Sequence, residues 1–386
     1  MEQTYVKTCV KLMKSRYIIM NKFKAFLQRK DIVFSGKRYG IDALGAMAQG
    51  LFCSLLIGTI VKTLGEQTGV SFLVDVGNYA SAMSGAAMAV AIGFALKAPP
   101  LVLFSLATVG YAANALGSTS LIPNQPGAGG PLAVLFIAII AAECGKAVSK
   151  ETKIDILVTP LVTILIGVGL SAWWAPAIGT AATSVGRIIM WATDLQPFLM
   201  GIVVSVVIGV ALTLPISSAA ICAALNLTGL AGGAAVAGCC ANMVGFAVLS
   251  FRENRWGGLV SQGLGTSMLQ MGNIMKNPRI WLPAILTSAI TGPVATCVFH
   301  MEMNGAPVAS GMGTCGLVGQ IGVWTGWISP SEQAISNGAS AIVPGAMEWL
   351  GLLLISFVLP AVLSWAFGQF FRKIGWIQDG DLTLAD

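Results

Sequence analysis

Long apolar runs separated by short polar breaks dominate the chain and predict a bundle of membrane-spanning helices. A helix needs roughly 20 apolar residues to cross the hydrocarbon core of a bilayer, and about ten segments here offer them. A closed β-barrel is disfavoured, because it requires alternating segments of about ten residues and these runs are continuously apolar. The predicted spans lie near 41–63, 71–96, 99–117, 131–149, 154–174, 178–193, 198–214, 217–250, 280–300, 307–326 and 341–370.

Two of these spans are expected to be irregular. The segment 217–250 contains Asn226 and several glycines, among them Gly229, so we predict one broken helix or two short ones. The last span contains Pro344 and Pro360. Proline removes a backbone donor and crowds the preceding helical turn, which predicts a bend in that span.

The longest weakly hydrophobic stretch, 257–277, follows a charged break at 252–255. Its polar side chains are Ser261, Gln262, Thr266, Ser267, Gln270, Asn273 and Asn277. Irregular backbone is tolerated at membrane depth only where it is buried in protein or lines a wet cavity. We therefore predict a re-entrant hairpin that holds a polar solute. A cytoplasmic loop with helical turns explains the composition equally well.

A polar island of His300, Glu302 and Asn304 follows the span at 280–300. An ionisable group beside a span marks a functional site by default. Glu302 is suited to binding a hydroxyl-rich solute or a cation, and His300 to sensing pH. An interfacial loop is the alternative, because charges are tolerated at the end of a span. Glu348, which follows a Pro-Gly pair, is a weaker candidate for a place in a cavity.

Composition supports a membrane protein and leaves little room for catalysis. Hydrophobic residues make up 55% of the chain and charged residues 10%, against about 25% charged residues in soluble domains. The single histidine and the eight scattered cysteines have no metal-ligand spacing, and there is no P-loop. The Gly-x-Gly-x-x-Gly pattern at 311–316 follows no strand, so we do not expect it to bind a dinucleotide. We expect no metal, no cofactor and no catalytic residue.

Positive charge is concentrated near the N-terminus. The formal net charge is +6, and ten Lys and Arg residues lie between Lys7 and Arg38. The positive-inside rule predicts a cytoplasmic N-terminus and gives no reason to expect nucleic-acid binding. Residues 1–38 are expected to form a basic amphipathic segment on the bilayer surface, with a partner-binding helix as the alternative.

The membrane domain is predicted to cover 39–372, followed by a short acidic tail at 373–386. The basic breaks near 146–153, 252–255, 276–279 and 372–373 are assigned to the cytoplasmic side.

Three segments carry a resemblance to a known family. They are 150–163, 263–283, which contains an Asn-Pro pair, and 304–316. They resemble the membrane (IIC) component of the bacterial phosphoenolpyruvate-dependent sugar phosphotransferase system, and the similarity covers most of the chain from about residue 40 to residue 372. The regulator-like subgroup, which includes perfringolysin-regulator-like proteins, is the one that the chain resembles most.

The resemblance implies a dimeric, all-α fold of the IIC type in the plasma membrane. One domain would form the dimer interface, and the other would hold a sugar between re-entrant hairpins and move as an elevator. Separate IIA and IIB partner proteins are expected, because neither domain is recognisable in this sequence. Sugar-transporting relatives use a glutamate in the hairpin and a histidine in an earlier span. Here Thr266 and Ser267 stand where a Glu-Pro pair aligns, and 212–218 contains no histidine.

These observations predict an inner-membrane permease that moves a small polar, sugar-like solute by alternating access. The alternative is a non-transporting sensor or regulator derived from a sugar permease, which the missing glutamate and histidine favour. As an enzyme, the chain would be at most the membrane subunit of a phosphotransferase complex. The residues expected to bind the solute, or to line or gate its site, are Thr266, Ser267, Gln270, Asn273, Ser217, Asn242, His300 and Glu302.

Overall fold

The computed structural model describes residues 24–119, 121 and 127–384. Helices account for 79% of the residues. In the described ranges no strand is formed, and the single isolated bridge joins Gly229 to Met303. The predicted all-α fold class is confirmed. Most of the predicted N-terminal amphipathic helix lies outside the described residues, and 24–29 of it is helical.

Seventeen helices follow one another along the described part of the chain. They are α1 (24–29), α2 (Arg38–Thr68), α3 (Ser71–Ala82), α4 (Ser84–Ala95), α5 (Pro100–Gly117), α6 (Gly130–Val148), α7 (Asp155–Thr183), α8 (Val185–Thr193), α9 (Pro197–Thr213), α10 (Ser218–Ala224), α11 (Gly229–Leu249), α12 (Phe251–Val260), α13 (Met271–Lys276), α14 (Pro278–Val298), α15 (Val318–Ile328), α16 (Glu332–Ser336) and α17 (Ala346–Lys373). Seven apolar segments in these ranges are long enough to cross a bilayer: α2, α5, α6, α7 with α8, α11, α14 and α17.

The helices differ from the predicted single spans at four places. The span predicted at 71–96 is two short helices, α3 and α4, which are interrupted at Met83. The spans predicted at 154–174 and 178–193 are not separated by a loop, because α7 continues through Pro176. The span predicted at 217–250 is two helices, as the glycine content indicated. The span predicted at 307–326 is only partly α-helical, because two short 3₁₀ turns precede α15. The described residues therefore contain seven long apolar segments, against the about ten spans predicted.

The basic breaks gather at one end of the bundle, which we call the basic end. Its defining residues are Arg38, Lys97, Lys146, Arg279 and Arg372. Lys146 Nζ donates to the carbonyl oxygens of Asp31 at 2.6 Å and Leu96 at 3.0 Å. Gly272 of α13 packs against Ile41 of α2. These contacts bring the basic ends of early and late helices together.

The opposite end of the bundle, which we call the distal end, carries acidic residues. The helix α14 begins at the basic end and has 21 residues, which makes it about 31 Å long. His300, just beyond its last residue, therefore lies at the distal end. The helix α11 also begins there, because Gly229 pairs with Met303. Acids at or beside helix ends on this side are Glu66, Asp75, Asp194, Glu302 and Glu348.

The helices form two packed groups. The first bundle consists of α2 to α7, and the second bundle of α9 to α17. A buried apolar cluster joins the two bundles, and it contains Met47 of α2, Met271 of α13 and Leu382 near the C-terminus. The domain boundary after residue 372 stays a prediction, although the residues beyond it share this cluster.

Close helix contacts in the second bundle depend on glycine. The helices α9, α11 and α14 pack on one another, and a Cβ added at Gly238 would collide with the carbonyl oxygen of Ser205. Small residues permit such backbone approach in membranes, where packing replaces the hydrophobic effect as the force between helices.

Alanine at Gly238 is therefore expected to destabilise the protein, although alanine normally favours a helix over glycine by about 1 kcal/mol. Overpacking of this kind costs about 1–3 kcal/mol. Thermal unfolding of the purified protein would measure the change. Gly169→Ala is the matched control, because Gly169 has open space around it. A Tm for Gly238→Ala equal to or above that of Gly169→Ala would contradict this account of the packing.

Candidate functional site

The stretch 251–277 enters the bundle from the basic end and returns to it. It begins beside Arg372, whose guanidinium lies 2.8 Å from the Glu253 carboxylate. It reverses direction at Thr266, whose backbone is extended with φ −158°. The Thr266 hydroxyl accepts a hydrogen bond of 3.1 Å from the backbone N–H of Met268, and so caps the returning limb. We call this stretch the basic-end hairpin.

The turn of the basic-end hairpin lies inside the protein. Ser267 Oγ is 2.7 Å from Thr213 Oγ1, at the last residue of α9. Thr213 also donates to Asn242 Oδ1 at 3.3 Å. Asn242 is seven residues before the end of α11, which puts it about 10 Å inside the bundle. This is the geometry of a re-entrant hairpin and not of a surface loop.

A second hairpin, 305–328, enters from the distal end and returns there. We call it the distal hairpin. Its turn uses Gly313 and Gly316, both with φ 53°, a left-handed conformation that glycine adopts without strain. The turn segment Cys315–Leu317 packs against Ser261–Gly265 of the basic-end hairpin. Two hairpins from opposite ends therefore meet at their turns.

Asn242 is the centre of a buried hydrogen-bond network beside these turns. Its Nδ2 donates to Gly238 O and to Ser288 Oγ, each at 3.1 Å. Its Oδ1 accepts from Trp281 Nε1 at 3.0 Å as well as from Thr213. Thr266, Ser267 and Asn242 thus lie close together, and their polar groups bond to other groups of the protein.

Gln270 and Asn273 lie on the returning limb, closer to the basic end. Gln270 Nε2 donates to Leu382 O at 2.8 Å, and Asn273 Nδ2 donates to Thr383 O at 2.8 Å. Asn273 Nδ2 also donates to Gln270 Oε1 at 2.8 Å. Both amides therefore hold the backbone of the C-terminal segment. Nothing in the sequence indicated this contact.

His300 and Glu302 line a cavity of about 370 Å³ at the distal end. Asn304 Nδ2 donates to Glu302 Oε2 at 2.8 Å. Glu348 Oε2 accepts from the backbone N–H of Gly345 at 2.9 Å. His300 has φ 44°, which costs a non-glycine residue energy and is often seen at functional sites. The polar and aromatic lining comprises Phe299, His300, Glu302, Asn304, Trp327, Ser340 and Glu348.

The cavity has the chemistry of a site for a polyhydroxylated molecule. Two carboxylates accept hydrogen bonds from hydroxyl groups. The Trp327 ring, which lies edge-to-face with Trp349 at 5.3 Å, adds an aromatic surface. The volume falls at the lower end of the roughly 300–1,000 Å³ typical of small-molecule sites. Glu348 was only a weak candidate from sequence, and Trp327 and Ser340 were missed, because neither stands out among the ten tryptophans and the many serines.

Ser217 lies apart from the other predicted site residues. Its hydroxyl accepts from Ala220 N at 3.2 Å and so caps α10. Its backbone N–H donates to Ala128 O at 2.9 Å. The eight predicted residues therefore fall into five places: the hairpin turn, the returning limb, the distal cavity, the cap of α10 and, for Asn242, the middle of α11 beside the hairpin turn.

Comparison with protein families gives one match. The model of the family described as "Phosphotransferase system, EIIC" matches residues 41–384. The searches of curated proteins and of solved structures returned no match.

The Asn242 network yields a prediction about stability. Asn242→Ala would leave the indole N–H of Trp281 without an acceptor, and an unsatisfied buried polar group costs about 1–3 kcal/mol. The variant should unfold at a lower temperature than the wild type. Ser54→Ala is the control, because Ser54 is also buried but its hydroxyl bonds only to carbonyls of its own helix. Equal Tm values for the two variants would refute the proposed importance of the network.

Proposed function

The chain belongs to the phosphotransferase system EIIC family, and on that premise we propose that it is a permease for a small, sugar-like solute. The family makes it the multi-pass membrane component of a sugar phosphotransferase system in the plasma membrane. The observation that carries the proposal is a polar cavity at the distal end, beside two hairpins whose turns meet inside the bundle.

The solute binds first in the distal cavity. Glu302 accepts hydrogen bonds from the hydroxyl groups of the solute. Within the described residues its Oε2 bonds to Asn304, which leaves Oε1 available for the solute. Asn304 holds that carboxylate in place through the bond to Oε2. Glu348 supplies a second acceptor, Trp327 an aromatic face, and His300 a donor at the rim.

The meeting point of the hairpins closes the route from this cavity to the basic end. In the present structure Ser267 bonds to Thr213, which in turn bonds to Asn242. When the hairpins separate, these hydroxyl and amide groups, with Thr266, become available to the passing solute. Movement of the second bundle along the first would be an elevator-type form of alternating access. Gln270 and Asn273 stand further along the same route, and Ser217 is left outside it because its hydroxyl caps α10.

The orientation and partners complete the proposal. The positive-inside rule puts the basic end and the N-terminal segment 1–38 in the cytoplasm, and the distal cavity then opens outwards. Separate IIA and IIB proteins, which the family implies, would act at the basic end. We further propose a homodimer formed through the first bundle. We also propose that the chain belongs to the regulator-like subgroup, because segments 150–163, 263–283 and 304–316 resemble it.

Glutamine at Glu302 should weaken solute binding at least tenfold, because a hydrogen bond to a charged group contributes about 1.5–3 kcal/mol. Titration calorimetry of the purified protein with glucose, mannose, N-acetylglucosamine, maltose and cellobiose would first identify a ligand and then compare the variants. Glu332→Gln is the matched control, because Glu332 lies in α16 and does not line the cavity. Unchanged affinity in both Glu302→Gln and Glu348→Gln would exclude the cavity as the solute site.

Alanine at Thr266 should slow uptake without changing the equilibrium affinity of the outward-facing protein. The reason is that Thr266 lies at the hairpin turn and not in the cavity. Uptake of the same labelled sugar into proteoliposomes, together with calorimetry, separates the two effects. A variant with weakened binding and normal transport per bound solute would place Thr266 at the solute site instead of the gate.

A further inference from the structure

The C-terminal segment 376–384, which we call the strap, is packed into the second bundle. Leu382 is fully buried, and Ile377 is 2% exposed. Both belong to the apolar cluster that contains Met268 and Met271 of the basic-end hairpin. The family match also continues to residue 384, so the strap belongs to the matched region.

Side-chain amides of the basic-end hairpin bind the backbone of the strap. Asn254, on the entering limb, donates to Leu382 O at 2.8 Å and accepts from Leu384 N at 2.9 Å. This pair of bonds imitates the pairing of two β-strands. On the returning limb Gln270 also donates to Leu382 O, and Asn273 donates to Thr383 O. One short peptide is therefore held by both limbs of the hairpin.

The beginning of the strap is fixed in the same way. Asn277 Nδ2 donates to Trp376 O at 3.0 Å and to Asp381 Oδ2 at 2.8 Å. The Arg279 guanidinium lies over the Trp376 ring, 5.4 Å from its centre. The contacts are specific to this segment and leave the hairpin little freedom to shift while the strap is bound.

The strap also reaches the first bundle. Leu384 lines a cavity of about 220 Å³ together with Phe52 of α2 and Leu269 of the hairpin. Leu382 shares a buried cluster with Met47 of α2. The strap thus sits at the basic end where the hairpin, the first bundle and the C-terminus meet.

We propose that the strap is a latch that holds the basic-end hairpin closed and must leave before the hairpin can move. The strap is held by two buried apolar side chains, Ile377 and Leu382, by amide–carbonyl hydrogen bonds that water can replace, and by a 2.7 Å ion pair between Arg372 and the exposed Asp379, which solvent screens. Release therefore requires that the two apolar side chains leave their cluster. Release would also free Gln270 and Asn273, so strap and solute compete for the same donors. The role in transport rests on the proposed function, but the coupling of strap to hairpin does not.

Hydrogen exchange on the full-length protein in nanodiscs tests the coupling directly. Leu382→Asp inserts a charge at a fully buried position and should displace the strap. Exchange should then rise at least tenfold both in 376–384 and in 261–277, while 100–117 stays unchanged. Thr383→Ala is the control, because Thr383 contacts the hairpin through its backbone carbonyl. A rise confined to the strap would overturn the latch.

A reversible crosslink tests the role in transport. Cys53 is exposed and lines the same cavity as Leu384, so Leu384→Cys offers a second thiol there. A short bis-methanethiosulfonate reagent should reduce uptake of labelled glucose, N-acetylglucosamine or maltose into proteoliposomes at least tenfold, and reduction should restore it. The control is the same reagent on Leu384→Cys with Cys53→Ser.

The outcomes separate the two proposals. Normal uptake by the crosslinked protein would overturn the requirement for strap release. If the wild type takes up and binds none of the sugars, the proposed function fails. The exchange experiment still decides whether the strap holds the hairpin, because its readout needs no solute.

Discussion

Backbone that leaves the helical hydrogen-bond ladder inside a membrane must find its partners in the protein, because the bilayer offers none. That constraint governs the centre of this molecule. At the two hairpin turns the chain bonds to itself: Thr266 N donates to Ser261 O at 3.0 Å, and Gly319 N donates to Gly313 O at 2.9 Å. Side chains satisfy further backbone groups: the Thr266 hydroxyl accepts from the backbone N–H of Met268 and so caps the returning limb. The irregular segments are therefore tolerated because each turn is enclosed by the other and by α9 and α11.

The same constraint explains why Thr266, Ser267 and Asn242, beside the turns, bond to other groups of the protein. Asn242 bonds with both its amide nitrogen and its oxygen, to Ser288, Trp281 and Thr213 among others. A buried network that is fully satisfied is rigid, and each bond lost is costly in a low dielectric. Within the described residues, Gln320 Oε1 beside the distal turn is a buried acceptor that has no partner, and the carboxylates of Glu302 and Glu348 line the cavity at the distal end.

The sequence predicted the fold class and the presence of a hairpin, because both depend on neighbouring residues: the length of the apolar runs, and a run of polar residues between apolar segments. The prediction of two separate spans at 154–174 and 178–193 was wrong, because α7 continues through Pro176. Two other features escaped prediction because they depend on residues far apart in the sequence. The contact of Asn273 with Thr383 joins residues 110 positions apart, and no property of either residue announces it. Similarly, Glu348 reaches the cavity of His300 only because α14 and α17 lie side by side.

The two kinds of contact in the second bundle differ in how readily they can be broken. Where α9, α11 and α14 meet, glycines bring backbones so close that an added Cβ would collide with the neighbouring helix. At the hairpin turns the contacts are neutral hydrogen bonds, each of which contributes only about 0.5–1.5 kcal/mol net. The strap adds the buried side chain of Leu382 and an ion pair between Arg372 and the exposed Asp379, which solvent screens. A conformational change will break the weaker set first. In the proposed transport cycle the glycine-packed helices would therefore move together as one unit, and the surfaces that separate would be the two hairpin turns and the contact between the strap and the basic-end hairpin.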